Sequence, residues 1–204
     1  MEPKERILEG ARELFFKHGT KTITMDDITK HIGMSKKTLY QYFSNKDEIV
    51  ESIMLKQMQE HECECQRMAD EAANVIEEVF STMKHMGAFF SQANPNLFYD
   101  LQKYHSSSWN IFKKFKDEYM VKLVEESINK GIKQGVVRSD IDSKIFARLR
   151  IKEVEMGFDP TTFPPEKFKI VDVQLALMDH FLHGICTLKG HKMINRYKAI
   201  IEEE

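Results

Sequence analysis

Thr24-Met25-Asp26-Asp27-Ile28-Thr29-Lys30-His31-Ile32-Gly33-Met34-Ser35-Lys36-Lys37-Thr38-Leu39-Tyr40-Gln41-Tyr42-Phe43 breaks into two short helices joined by a turn, and each break is marked. Thr24 has the residue type of a helix N-cap, and Asp27 follows three residues later in a capping-box-like position. Asp26 and Asp27 also suit the positive end of the helix dipole. The helix they open runs about two turns, to Ile32, and stops at Gly33. Ser35 is the next N-cap and opens a helix through Phe43. Ser44-Asn45 then caps a further helix that starts at Lys46. Two short helices joined through Gly33-Met34-Ser35 make a helix-turn-helix.

Ile7, Leu8, Ala11, Leu14 and Phe15 place one apolar face on a preceding helix that starts near Pro3 and ends at Gly19. Ile28, Ile32, Leu39 and Phe43 can turn inward against it. Lys36, Lys37, Thr38, Tyr40 and Tyr42 are then left on the outer face of a helix slim enough to enter a major groove. From Ile28 to Lys46 the chain has four lysines (Lys30, Lys36, Lys37, Lys46) and no acid. A solvated surface helix in a small bundle would show the same exposed lysines.

The rest of the composition narrows the alternatives. The chain has 204 residues, a formal net charge of −2, 42% hydrophobic residues, nine Gly and five Pro. So few turn formers disfavour an all-β fold, and mixed charge on an apolar chain excludes an acidic disordered tail. The near-neutral total also excludes a broad basic coating for nucleic acid. Residues 1–50 hold nine basic and eight acidic residues, so positive charge is local rather than abundant. With three Cys, an apolar run of about 18 residues nowhere and no leader-like N-terminus, a cytoplasmic protein without a membrane span is expected.

Ile7-Leu8-x-x-Ala11-x-x-Leu14-Phe15, Gly19, Thr24-Met25-Asp26-Asp27-Ile28, Gly33-Met34-Ser35, Thr38-Leu39-Tyr40-x-Tyr42-Phe43 and Lys46-Asp47-Glu48-Ile49 together resemble the N-terminal DNA-binding domain of TetR-family transcriptional regulators. Gly131-x-x-x-Gly135-x-x-Arg138-x-Asp140-x-Asp142 is similar to the turn between the seventh and eighth helices of many members. Gly10, Thr29 and Ile32 stand where the family usually has Ala, and Lys37 where it often has Gly. The resemblance implies that Thr24, Ser35, Tyr40, Tyr42 and Lys46 contact phosphates, and that Lys36, Lys37 and Thr38 reach base edges or phosphates. Gln41 is a weaker candidate for reading adenine. It also implies an all-α fold of about nine or ten helices. Residues 1–48 would be a three-helix DNA-binding domain, and residues 49–204 a helical ligand-binding and dimerisation bundle.

Beyond residue 50 the residue types speak of architecture. An amphipathic helix is expected over 75–90, ending near Asn94-Pro95. Ten of the 21 aromatic residues lie between Phe80 and Tyr119. Trp109, Phe112, Phe115 and Tyr119 make one helical stripe, which serves an ordinary core or, with Phe80, Met83, Met86 and Phe90, the wall of an apolar ligand pocket. Phe168, Val171, Leu175, Met178, Leu182 and Ile185 step by 3, 4, 3, 4 and 3. That heptad seam, with Ile145, Phe146 and Leu149 of the preceding helix, suggests a two-fold dimer interface.

His61 and Cys65, or His180 and His183 beside Asp179, have helical spacing that could share an ion. Solvated or interface side chains are the plainer reading, so no metal or cofactor is expected. No G-x-G-x-x-G, P-loop, H-E-x-x-H, G-x-S-x-G or Glu-x-x-His pattern supports an enzyme. The expectation is a homodimeric, ligand-responsive repressor that binds a pseudo-palindromic double-stranded operator and is released by an unidentified, apolar or aromatic effector. The alternative is a helical bundle that sequesters an apolar ligand, which leaves the lysine-rich helix-turn-helix without a purpose.

Overall fold

The computed structural model describes residues 2–92, 94 and 96–202; Pro95, one of the expected breakers after the 75–90 helix, lies outside them. Eleven α-helical spans occur among the described residues: α1 Pro3–His18, α2 Met25–Ile32, α3 Lys36–Tyr42, α4 Lys46–Glu71, α5 Val75–Gln92, α6 Leu97–Tyr104, α7 Ser106–Phe115, α8 Val121–Lys133, α9 Ser143–Gly157, α10 Ile170–Ile185 and α11 Leu188–Glu202. A π-helical turn, Lys116–Met120, joins α7 to α8 without a break. Counted that way, ten continuous helices form an all-α chain. One isolated bridge, Val137 with Cys186, is the extended pairing among the described residues.

The chain divides into two compact units. One comprises residues 1–62 and 92–114, the other residues 63–91 and 115–204. This division differs from a linear cut at 48/49, because α6 and most of α7 fold with the N-terminal helices and α4 contributes residues to both units.

The first unit closes around Ile7, Ala11 and Phe15 of α1, Ile28 of α2, Leu39 and Phe43 at α3, Ile49, Val50 and Ile53 of α4, and Leu101 of α6. Leu14 and Ile32 pack at its margin, only partly buried. The capping signals act as local chemistry dictates. Thr24 Oγ1 accepts from the Asp27 N–H at 3.2 Å, and the Asp27 carboxylate accepts from the Thr24 N–H at 2.9 Å. Gly33 ends α2 in the left-handed region at φ 62, ψ 43, which a side chain would strain. Ser35 Oγ then accepts from the Thr38 N–H at 3.1 Å and opens α3.

Two departures from the family pattern explain each other. A Cβ on Gly10 would stand 2.1 Å from Ile32 Cγ2, so the larger residue on α2 is accommodated by the missing side chain on α1. Gly10→Ala alone should cost about 1–3 kcal/mol through overpacking. In an Ile32→Ala background the same change should be neutral or stabilising by up to about 1 kcal/mol, since Ala is the better helix former. Urea denaturation of the four-member cycle measures this; additive effects would show that the two side chains do not meet.

Asn94 and residues 96–107 are tied to the rest of the first unit by polar contacts. The Asn94 N–H donates to Phe16 O at 2.7 Å, and the Lys21 N–H donates to Asp100 Oδ2 at 3.2 Å. His105, buried, pairs its Nδ1 with Asp47 Oδ1 at 2.5 Å, while Ser107 Oγ donates to Glu51 at 3.1 Å.

The second unit packs Val75 and Ile76 of α5, Val121 and Ile128 of α8, Ala147 and Ile151 of α9, Phe181, Leu182 and Ile185 of α10, and Ile194 of α11. The turn after α8 contributes Val136 and Val137, and Asp142 caps α9 by accepting from the Lys144 and Ile145 N–H groups. Charges drawn into this unit have partners: Lys130 Nζ meets Glu78 at 2.6 Å, and Lys116 pairs with Glu155. Arg150, its pKa lowered by burial, lies over the Phe181 ring and pairs with Glu153.

Candidate nucleic-acid interface

The turn chemistry fixes which side of α3 faces out. Ser35 sets its first turn and Leu39, fully buried, pins its middle, with Phe43 buried just beyond its end. Lys36, Lys37, Gln41, Tyr40 and Tyr42 are exposed on the other side, with Thr38 half-buried. Tyr40 and Tyr42 are 51% and 42% exposed, large for aromatic groups on a helix with so firm a core contact. Their hydroxyls, the lysines and the amide of Gln41 form a row of donors, which suits phosphate oxygens and groove edges.

The structure sorts these candidates by how free they are. Thr24 Oγ1 donates to the Asp27 carboxylate at 2.6 Å while accepting from its N–H, and Ser35 Oγ lies 2.8 Å from Thr38 Oγ1. Both hydroxyls are engaged in their caps. Lys36 Nζ is bound to Asp26 Oδ2 at 2.6 Å, and that bond raises its pKa. Lys37 is exposed and makes no ion pair among the described residues.

Lys46 is turned inward. Its ammonium donates to the carbonyls of Thr20 at 2.8 Å and Ile23 at 3.0 Å, and burial lowers its pKa against the opposing fields of Asp47 and Asp100. It clasps the loop between α1 and α2, the loop that delivers Thr24. Lys46→Met should therefore destabilise the chain by about 1.5–3 kcal/mol, the range for hydrogen bonds to a charged group. The slope of log affinity against log salt on a random-sequence duplex should stay at the wild-type value. A slope shallower by about one unit would instead place this ammonium on a phosphate.

Sequence reasoning missed two residues that shape this surface. Arg6 Nη2 donates to Ile32 O at 2.9 Å and caps the end of α2 from α1. Asp26 reaches Lys36 across the turn. A charged residue on an exposed helix face is the only sequence signal for either.

Residues 7–53 match the sequence model of the bacterial regulatory proteins of the tetR family. The N-terminal part of the chain is thus a DNA-binding domain of the tetR type. It is 28% identical over 183 residues to the HTH-type transcriptional regulator YvaF of Bacillus subtilis, across 89% of this chain and 94% of that one. Among solved structures it resembles SmeT, the repressor of the SmeDEF multidrug efflux pump of Stenotrophomonas maltophilia, with a TM-score of 0.70 at 21% identity over 92% of each chain. It also resembles the Thermus thermophilus repressor FadR in complex with lauroyl-CoA, with a TM-score of 0.59 at 18% identity over 89% of this chain and 94% of that one. These two likenesses concern the fold.

The aromatic stripe is divided between the units. Trp109 and Phe112 belong to the first, where Trp109 packs on the core and Phe112 meets the rings of Phe98 and Trp109 at a tilt. Phe80, Met83, Met86, Phe90, Phe115 and Tyr119 belong to the second. There Phe80 stacks on Tyr197, Phe90 meets Phe158 edge-on, and Phe115 stacks on Tyr119 at 5.0 Å. Met83 and Met86 are half-buried.

The heptad seam does not present one face. Phe168 and Leu175 are each 46% exposed, Val171 and Met178 are half-buried, and Leu182 and Ile185 are buried in their own unit. The expectation that Leu182 and Ile185 meet a partner is thereby corrected: both belong to the core. On α9, Ile145 and Leu149 are exposed at 63% and 46%, while Phe146 packs partly inward.

One member of each pair with metal-like spacing is drawn away from it. His183 Nδ1 is bonded to Asp179 O and its carboxylate, and His180 is exposed. Cys65 is buried, which pushes its thiol up to about 11 and disfavours the thiolate. Among the described residues, no three His, Cys, Asp or Glu side chains form a group that could hold a metal ion. Nor is any described helix long and apolar enough to cross a membrane.

Proposed function

We propose that this regulator is a cytoplasmic, homodimeric repressor that binds a pseudo-palindromic operator in double-stranded DNA and leaves it when a small apolar effector binds. The observation that carries the reading is α3. Its buried Leu39 and the adjoining Phe43 fix an outer row of Lys36, Lys37, Thr38, Tyr40, Gln41 and Tyr42, all donors to phosphates or base edges. Two such helices related by a two-fold axis enter successive major grooves about 34–36 Å apart.

The partner surface we assign is the exposed apolar set Ile145, Leu149, Phe168 and Leu175. Exposed Ala176 and Gly184 on α10 let a second helix approach closely. For the effector we assign the aromatic and methionine side chains of the second unit, since Met and stacked rings adapt to apolar guests. The acyl chain carried by lauroyl-CoA, bound by a protein of the same fold, is a guest of that kind. An effector acts only through unequal affinity for the DNA-competent and DNA-incompetent forms. α4, whose residues belong to both units, is the element through which we expect the difference to be expressed.

Titration of the folded dimer against duplexes from around its own gene tests the reading. Sequence-selective binding that weakens steeply with salt is expected. Absence of binding at low salt by well-folded dimer would sink it.

A further inference from the structure

Lys36, Lys37 and Lys46 all carry charge on or beside α3, yet they are not equivalent. Lys46 is spent on carbonyls, Lys37 makes no ion pair among the described residues, and Lys36 is held by Asp26 at 2.6 Å. We propose that Asp26 is a specificity-determining residue of the DNA-binding surface, a counter-ion built into the protein that competes with backbone phosphate for Lys36 and so depresses sequence-independent binding. The inference rests on the DNA-binding reading above.

Asp26 is not needed to build the helix. The capping box of α2 uses Asp27, and the backbone carbonyl of Asp26 serves Thr29 Oγ1 at 2.8 Å. Its carboxylate is free to meet Lys36. The two side chains are 46% and 62% exposed, so the pair lies at the surface where the recognition helix begins. An exposed pair of this kind adds little to folding. Its consequence lies in what else may bind there.

A lysine strengthens nonspecific binding by neutralising a phosphate and releasing its condensed cation. Lys36 keeps further N–H donors while paired, but it supplies net charge to a phosphate only by leaving Asp26, which would bring a bare carboxylate into the field of the DNA backbone. If the pair stays closed it presents no net charge, and no cation is released. A phosphate offers acceptors only, so neither arrangement suits it. A guanine–cytosine edge differs: guanine O6 and N7 accept from an ammonium, and cytosine N4 donates to a carboxylate. A closed pair, donor beside acceptor, still finds partners there. The pair thus taxes phosphate contact more than base contact, and it raises the ratio of specific to nonspecific affinity.

Fluorescence anisotropy of a random-sequence duplex, titrated over a range of salt concentrations, tests the idea on wild type, Asp26→Asn, Lys36→Met and the double variant. Asp26→Asn should bind about five- to tenfold more tightly at 0.1 M salt, with a salt slope steeper by about 0.9, the value for one added phosphate contact. The double variant should lose that gain, because the freed lysine is what produces it. Thermal melts of all four should agree within a few degrees. Unchanged affinity and slope in Asp26→Asn would overturn the proposal, and so would a gain that persists without Lys36. If neither wild type nor Asp26→Asn binds any duplex at low salt, the DNA-binding reading falls and this inference with it.

Discussion

Leu149→Glu combined with Leu175→Glu should convert the proposed dimer to monomers and abolish the tight operator binding proposed for it. Both leucines are 46% exposed in the single chain, on α9 and α10, and Ile145 and Phe168 join them at 63% and 46%. Soluble surfaces carry single exposed apolar groups freely, but three on α9 and α10 with a fourth just before α10 mark a contact face. A two-fold interface uses each substitution twice, so a dimer would bury four new carboxylates, each without a designed partner. Even about 1 kcal/mol for each would weaken association roughly a thousandfold. A monomer can reach one half-site only, so operator affinity should fall by orders of magnitude while binding to any short duplex persists. Sedimentation velocity and anisotropy read the two effects. The variant should keep its helical circular dichroism, because neither leucine belongs to the core of its unit. A variant that sediments as the wild-type dimer would move the interface elsewhere.

The pattern of what the sequence disclosed follows the range of the interactions. Caps at Thr24 and Ser35 act over three residues, so residue type and spacing suffice to find them. The inward positions Ile28, Leu39 and Phe43 follow from helical period against an apolar α1. Contacts that close over long separations left no such trace. Lys46 finds carbonyls 26 and 23 residues away, and Lys21 finds Asp100 at a separation of 79. Nothing near Lys46 in the chain announces an inward turn; its place at the start of a helix points to a phosphate instead. The lysine-rich window from Ile28 to Lys46 also began two residues too late. Asp26 lies just outside it and folds back onto Lys36, so the local positive charge is smaller in space than along the chain.

The heptad seam is interrupted by cover, not by direction. Leu175 and Leu182 are one heptad apart and differ by only about 20° around the helix. The second unit's own side chains pack over Leu182 and Ile185 and leave Leu175 exposed. Spacing along one helix carries no signal of which part of it a neighbouring helix covers. The aromatic stripe met a different obstacle: the boundary between the two units falls between Phe112 and Phe115, inside a continuous helix, and no residue type marks it.

Gly19→Ala should be the most damaging methyl addition in the first unit, at about 2–4 kcal/mol. Gly19 ends α1 at φ 77, ψ 165, a region that residues with a Cβ essentially do not occupy, and strain there costs about 1–3 kcal/mol. A second cost adds to it. The new methyl would lie 2.8 Å from Asp100 Oδ2, the atom that accepts the Lys21 N–H. Asp100 is buried at 6% exposure and cannot withdraw into solvent, so the carboxylate must shift and weaken the bond that holds the loop. That loop supplies the Thr20 and Ile23 carbonyls to Lys46 and leads directly into Thr24, so the effect should reach α2 as well as stability. Asp100→Asn separates the two costs: it keeps an acceptor for Lys21 and leaves the backbone of Gly19 untouched, so it should destabilise far less. Urea denaturation followed by tryptophan fluorescence reports on the unit directly, because Trp109 packs against its core. A Gly19→Ala loss below about 1 kcal/mol would mean that the chain relaxes out of the glycine-only conformation at no great cost. The close approach of α6 to the end of α1 would then not be what fixes Gly19.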